Sequence, residues 1–393
     1  MILTTCAACA APLAHTAPRC GVRWALHEGR GSTGGKRRQL RHAKTRYCNE
    51  TCQHDHWRRG HKQICKRIHR GGNAEQYYAD KKYKEAVAEA VEKCADDTKG
   101  QTCYICTQAL HWKTKEGLVR GCSCRGTAGF AHVSCLAEQA KILFAEAEEN
   151  NLERQPRWNR WHTCTLCEQN HHGVVRCALG WACWKTYLGR PETDRARCFA
   201  MTQLGNGLSA AGHHEDALSV NEAELSMMRR VGAPEEVILG TLGNLAGTYC
   251  DLGRQECALR ITRDIYQGFL KLNGEESGDT ILASINYAAS LGNLNRFNEA
   301  KSSLRKTIPV ARRVLGESHQ QTLRMRKTYA KALFLDDGAT LGDLRKAVMT
   351  LAEIERTSRR VLGGAHPLTV DIEDLLRDAR VILRARETPP TSA

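Results

Sequence analysis

The sequence predicts a multi-domain chain: two small cysteine-rich modules held by metal, followed by an all-α solenoid of repeated helix pairs. Two observations carry this. Of the 19 cysteines, all but Cys250 and Cys257 precede residue 200, and many of them fall in closely spaced pairs. From about residue 175 onward, small residues recur with a period near 42.

The bulk properties narrow the classes. No run of about 18 apolar residues occurs, so no membrane span and no membrane partner is expected. The start, Met1-Ile2-Leu3, meets Cys6 at once, without the basic and apolar stretches of a secretory signal. The chain is therefore expected inside the cell, in cytoplasm or nucleus, with its thiols reduced. Reduced C-x-x-C pairs read as metal ligands rather than disulfides. Residues 1–70 carry 15 Lys and Arg against 3 Asp and Glu, a net of +12 of the chain's +15. Short solvated loops of small metal modules account for such charge; an acidic partner or nucleic acid is the alternative. Neither an RNA-binding signature nor tandem C2H2 fingers accompany it.

In the first module, residues 1–70, the candidate ligands run Cys6-x-x-Cys9, Cys20, Cys48-x-x-x-Cys52 and His61-x-x-x-Cys65. Zinc takes four thiolate or imidazole ligands in a tetrahedron, and a C-x-x-C pair presents two of them from one tight turn. So short a fold buries little apolar surface. Metal binding, worth on the order of 10–16 kcal/mol in small fingers, supplies its folding energy. The run Tyr47-Cys48-x-x-x-Cys52-Gln53-x-x-x-Trp57, then His61-Lys62-x-x-Cys65, resembles the MYND zinc finger, over about residues 6–65. The resemblance implies a cross-braced pair of sites. Cys6, Cys9, Cys48 and Cys52 would hold one zinc; Cys20, a partner, His61 and Cys65 would hold the other. The family's second cysteine after Cys20 is missing, with His27 and His42 as candidates to replace it. A Gly-, Arg- and Lys-rich stretch at about 21–41 reads as an insertion. MYND fingers dock short peptides, which implies a protein partner here.

Residues 71–100 read as a helical linker. Tyr83, Val87 and Val91 recur at i, i+4, i+8 and so share a face. Cys94 stands alone there and reads as a buried hydrophobe. The second module, 101–172, sets out Cys103-x-x-Cys106, Cys122-x-Cys124, His132-x-x-Cys135 and Cys164-x-x-Cys167. Eight ligands suffice for two tetrahedral sites. A helix is expected over 136–149, with Leu136, Ala140, Leu143 and Ala147 on one face. The run Cys122-Ser-Cys124-Arg-Gly-Thr-Ala-Gly-Phe-Ala-His132-Val-Ser-Cys135-Leu136 resembles the RING-CH finger, and the resemblance spans 103–167. It implies interleaved ligation: Cys103, Cys106, His132 and Cys135 on one ion; Cys122, Cys124, Cys164 and Cys167 on the other. It also implies a groove that grips a ubiquitin-conjugating enzyme, touched by Ile105 and Leu166. Catalysis there would be positioning, with no covalent chemistry in the finger. Where such fingers carry a tryptophan, this chain has Gln139, and Trp158 and Trp161 come later.

Residues 173–386 are the repeats, and 387–393 a disordered tail. Ala217, Ala258, Ala300 and Ala347 recur at steps of 41, 42 and 47; Gly274, Gly316 and Gly363 recur at 42 and 47. The shared surplus of five places an insertion near 336–340. Each unit reads as two amphipathic helices whose close approach uses Ala246, Ala258, Ala288, Ala300 and Ala330. The stretches Asn244-Leu245-Ala246-x-x-Tyr249 and Gly363-Gly364-Ala365-His366-Pro367-x-Thr369 resemble tetratricopeptide repeats of the kinesin-light-chain type. That resemblance implies a concave peptide groove, with Gln203, Asn244, Asn286 and Thr328 at matching places. Cys177 and Cys183, without a partner pair, read as buried.

The whole predicts two cross-braced zinc fingers before a tetratricopeptide solenoid, with three to four zinc ions per chain. Two functions stay open. One is a RING-CH-type ubiquitin ligase that holds substrate on the repeats or the MYND-like finger. The other is a non-catalytic protein-interaction scaffold. A nucleic-acid-binding zinc protein is third.

Overall fold

The computed structural model describes residues 19–21, 41–46, 74–364 and 366–387. Two compact units divide the chain, Met1–Val231 and Gly232–Ala393. The division falls inside the stretch that the sequence pattern reads as one repeat array. No helix among the described residues is long and apolar enough to cross a membrane.

The first unit opens with two strands, β1 (Arg19–Gly21) and β2 (Arg41–Arg46), paired antiparallel with Gly21 opposite Arg41. This pairing closes the two ends of the stretch read as an insertion. Helix α1 (Ala74–Lys93) follows, then the cysteine-rich loops, α2 (Val133–Glu149), α3 (Arg154–Trp158), a short 3-10 turn, α4 (Gly173–Tyr187), α5 (Arg195–Ala210) and α6 (His214–Arg230). The linker helix is not a free connector: α1 packs along α4. Tyr83 and Val87 are buried, Lys185 of α4 sits 4.0 Å over the Tyr83 ring, and Gln76 donates to the Lys185 carbonyl at 3.3 Å. Helices α4 and α5 touch backbone to backbone. A Cβ at Gly180 would lie 2.8 Å from the Gln203 carbonyl oxygen, and one at Gly207 2.8 Å from that of Arg176. Alanine at either place would push the pair apart.

An aromatic cluster joins the cysteine-rich region to these helices. Phe144 of α2 meets Trp158 edge-on at 4.8 Å and Tyr187 of α4 at 5.8 Å; Trp161 meets Tyr187 at 5.8 Å. Phe144 and Ala147, rather than Leu143, are the buried residues at the far end of the α2 face. The two tryptophans thus fill core, and Gln139 stays half-buried on α2.

The second unit is all helical: α7 (Glu235–Asp251), α8 (Gln255–Asn273), α9 (Gly278–Asn293), α10 (Phe297–Leu315), α11 (Gln320–Phe334), α12 (Leu341–Leu362) and α13 (Pro367–Glu387). Each helix packs on the next, and α9 on α11, as in stacked helix pairs. Ala246, Ala258, Ala288, Ala300 and Ala330 are all buried at the crossings. The loop register has a mechanical meaning. Gly274, Gly316 and Gly363 end α8, α10 and α12 at φ of 74°, 89° and 90°, conformations glycine takes without strain. Three residues after each glycine, Ser277, His319 and His366 accept from the N–H of Asp279, Gln321 and Leu368 and so cap α9, α11 and α13. The longer α11–α12 connection is pinned by Lys301 Nζ, 2.6 Å from Asp336 Oδ2, and ends in a capping box between Thr340 and Asp343.

Candidate metal centres

Two groups of four side chains converge in the first unit: Cys103, Cys106, His132 and Cys135, and Cys122, Cys124, Cys164 and Cys167. Within each group the ligand atoms lie within 4.8 Å of one another. The pairing is interleaved along the chain.

Each group is built on a tight knuckle. The N–H of Ile105 points at Cys103 Sγ and that of Leu166 at Cys164 Sγ, both at 3.4 Å. The Cys103 N–H donates to Gln108 O at 3.0 Å, and the Cys164 N–H to Gln169 O at 2.9 Å. Thr107 and Glu168, each just past the second cysteine, take φ of 61° and 54°. The two C-x-x-C turns are thus copies of one backbone solution.

His132 is fully buried at the start of α2. Its Nδ1 faces Cys106 Sγ at 3.4 Å and Cys135 Sγ at 3.6 Å. Its Nε2 lies 3.3 Å from the Ala109 carbonyl. A carbonyl on one ring nitrogen holds the proton there and leaves the other nitrogen to ligate. Beside it Glu116 accepts from the Ser134 N–H at 2.7 Å and the Ser134 hydroxyl at 2.9 Å, and Tyr83 meets that hydroxyl at 3.1 Å. This network clamps the turn that carries His132 and Cys135. Burial, then the Glu116 charge, pushes the Tyr83 phenol up to about 12.

In the second group Cys124 Sγ and Cys164 Sγ are 3.8 Å apart. Gly129, at φ 86°, lies against both thiols of the C-x-C: a Cβ there would be 2.6 Å from Cys124 Cβ and 3.2 Å from Cys122 Sγ. Burial raises the thiols of Cys122, Cys124 (to about 11) and Cys135. At Cys103 and Cys167 burial acts the same way, but hydrogen bonds to the thiolate outweigh it and lower them. Crowded thiols ionise together only around a cation. Three thiols with one imidazole, and four thiols, are donor sets that fit zinc, with no coordination position left for substrate. Among the described residues no third group converges. Cys177 and Cys183 are buried in α4, and Cys94 is half-buried with its thiol 3.9 Å from the Arg120 carbonyl. Cys6, Cys9, Cys48, Cys52, His61, Cys65 and His27 lie outside the described residues; Cys20 and His42 lie on β1 and β2.

Of the expected enzyme contacts, Leu166 is 52% exposed, but Ile105 is half-buried rather than exposed. The tips of the two knuckles meet where Tyr104 Oη lies 3.0 Å from Thr165 Oγ1. Of the expected groove residues, Asn244 of α7 and Asn286 of α9 line one groove of about 450 Å³ in the second unit. Its α7 wall carries Gly240, Gly243 and Gly247, each facing open space. Thr328 turns its hydroxyl to the Arg324 carbonyl at 3.0 Å, and Gln203 sits half-buried on α5 in the first unit. Glu116, Ser134 and Gly129 escaped the sequence reading of the ligands. For Gly129 the Cys-x-Cys-x-Gly-Thr-x-Gly run was a signal; for Glu116 none exists, because it meets α2 only in the fold.

Among known proteins, the tetratricopeptide-repeat family model matches residues 283–321, from within α9 to the start of α11. No family model for a MYND or RING-CH finger matches, and no curated protein matches. Similar solved structures include the nearly identical TPR-like repeats of the kinesin-light-chain kind from Podosopora anserina (15% identity, 59% of this chain and 98% of that one, TM-score 0.40). They include BtubC (BKLC) of P. vanneervenii (14% identity, 66% and 94%, TM-score 0.32) and a Rap protein complexed with Competence and Sporulation Factor (14% identity, 64% and 66%, TM-score 0.39). With the family match lying inside a stack of helix pairs, the chain contains tetratricopeptide repeats.

Proposed function

We propose that this chain is a zinc-held, multi-module scaffold for protein–protein interaction, working in the reducing interior of the cell. The observation that carries the reading is the tetratricopeptide array with Asn244 and Asn286 in one groove. An asparagine amide offers both donor and acceptor to a peptide backbone. Beside it the bare glycines of α7 leave room for a ligand's own atoms. Zinc on the two four-residue groups would hold the second finger closed, and the MYND-like finger would offer a further docking module. Affinity capture from cells, comparing the intact chain with Asn244→Ala/Asn286→Ala, tests the reading. A defined set of partners should be lost with the groove residues while fold and metal content persist. Partners indifferent to the groove would remove its basis.

A second reading, ubiquitin transfer, draws on one observation: the exposed Leu166 beside the Tyr104–Thr165 contact between knuckles. Transfer with a panel of conjugating enzymes, lost in Ile105→Ala and Leu166→Ala at unchanged zinc content, would support it. No transfer and no binding across the panel leaves the scaffold.

A further inference from the structure

Past the last knuckle the chain doubles back as a short hairpin. Thr163 pairs with Asn170, and the His171 N–H donates to the His162 carbonyl at 2.8 Å. His171 is 3% exposed, and neither of its ring nitrogens has a partner among the described residues. His162 Nδ1 is buried without one as well. Neither histidine belongs to a cysteine group. Helix α4 starts two residues on, and the charge of its fourth residue, Arg176, bears on both rings. Arg176 Nε is buried and unbonded, and the guanidinium makes no ion pair among the described residues. Burial pulls the Arg176 pKa down, with no carboxylate to offset it.

A buried charge is ordinarily held by an opposite charge, and a buried imidazole by hydrogen bonds. Burial, ahead of the His172, His162 and Arg176 charges, pushes the His171 imidazole down to about 4. The ring is therefore neutral near pH 7, with one N–H and one lone pair both unmet. The helix end repeats the pattern. The first N–H groups of a helix are free donors at the positive end of its dipole. Here no acid stands in the first turn, and the N-cap His172 gives no side-chain bond. Arg176 adds positive charge to that end instead of answering it. There is also room: a Cβ at Gly173, the first residue of α4, would meet nothing within 4 Å.

We propose that the start of α4, with Arg176 and His171, binds a phosphate-class oxyanion, either free phosphate or the phosphoryl group of a phosphorylated partner segment. The guanidinium fork, an imidazole N–H and the helix N–H groups are all donors. They come from different elements, and such a set suits an anion with oxygens in several directions. A carboxylate presents two oxygens in one plane. This site is separate from the repeat groove and stands without it.

The test uses the full-length, zinc-loaded chain with inorganic phosphate as the probe, read by isothermal titration calorimetry and by thermal melting at constant ionic strength. Saturable binding and a higher melting temperature are expected. Arg176→Met should weaken binding at least about tenfold, and phosphate should no longer raise its melting temperature. Arg176→Lys, which keeps the charge without the fork, should fall between the two. His171→Leu should weaken binding in the same direction. Circular dichroism and zinc content should match the parent in every variant. A phosphoserine peptide beside its unphosphorylated form separates the two sources. Binding tighter than that of inorganic phosphate, and lost in Arg176→Met, assigns the site to a partner's phosphoryl group; binding no tighter assigns it to the free anion. No saturable binding of either probe overturns the proposal. So does binding indifferent to both Arg176→Met and His171→Leu, the mark of an adventitious ion only. Acetate binding as well as phosphate also overturns it, since a carboxylate would then suffice.

Discussion

The Tyr104 hydroxyl lies 3.0 Å from Thr165 Oγ1, and this bond ties the first zinc-type knuckle to the last, 61 residues on. Each partner precedes the apolar residue of its knuckle, so the bond sets Ile105 and Leu166 on neighbouring turns. Burial pushes the Tyr104 phenol up to about 12, so it stays protonated throughout the physiological range. Tyr104→Phe should leave zinc content intact and lower stability by about 1 kcal/mol, as for a single hydrogen bond. Thermal melting beside metal analysis checks this; loss of metal would show that the bond shapes the sites themselves.

Metal content follows from the ligand groups. The full chain should carry three to four zinc ions, two of them in residues 103–167. Cys103→Ala or Cys164→Ala should each remove one. A chelator should collapse the finger and leave the helices of the second unit folded, because stacked repeats need only their neighbours. Atomic absorption with far-ultraviolet circular dichroism decides; a count of one or none ends the zinc reading.

Gly129→Ala tests the close contact with Cys122 and Cys124. The new methyl meets Cys124 at 2.6 Å while the backbone stays at φ 86°. A cost of about 1–3 kcal/mol for the backbone alone is expected, with weakened retention of the second zinc. Competition with a colorimetric chelator would reveal it. Unchanged zinc affinity would mean the C-x-C loop relaxes freely.

Glu224 of α6 gives the first unit a pH dependence. It is almost fully buried, Thr202 donates to its Oε1 at 2.5 Å, and its Oε2 has no partner among the described residues. Burial raises its carboxyl to about 7, the Thr202 bond opposing only in part. The folded state thus prefers the protonated acid. Its contribution is complete below the ordinary carboxyl range near 4.5 and is lost as pH rises through about 7. Between pH 4.5 and 8 this amounts to on the order of 3 kcal/mol. Glu224→Gln should flatten the dependence and melt higher at pH 8. An identical slope in both proteins would refute the assignment.

Lys301 and Asp336 should be worth more than a surface pair, since both side chains are largely covered. Lys301→Met is expected to cost about 1–3 kcal/mol and to loosen the 336–340 connection. Hydrogen exchange at Gly338, whose N–H bonds Asp336 Oδ1 at 3.1 Å, reads that loosening directly. Unaltered exchange would assign the loop's order to the Thr340 capping box alone.

The sequence by itself pointed to the eight side chains that converge in two groups, their interleaved grouping by way of the finger it resembles, and the helical repeats. These signals are local: two cysteines on one turn, an alanine at each helix crossing, a glycine at each recurring loop. The place of the surplus residues near 336–340 was legible for the same reason. Only the tertiary structure decided that α1 is part of the first unit's core, because a helix face announces that it is covered but not by what. The same limit hid the clamp of Glu116 on Ser134, the aromatic seam from Phe144 to Tyr187 and the half-burial of Ile105. Each depends on residues far apart in sequence meeting in space, and no spacing rule records such a meeting. The compact units likewise divide at Val231, inside an unbroken run of helical pattern, because packing sets that boundary and periodicity does not.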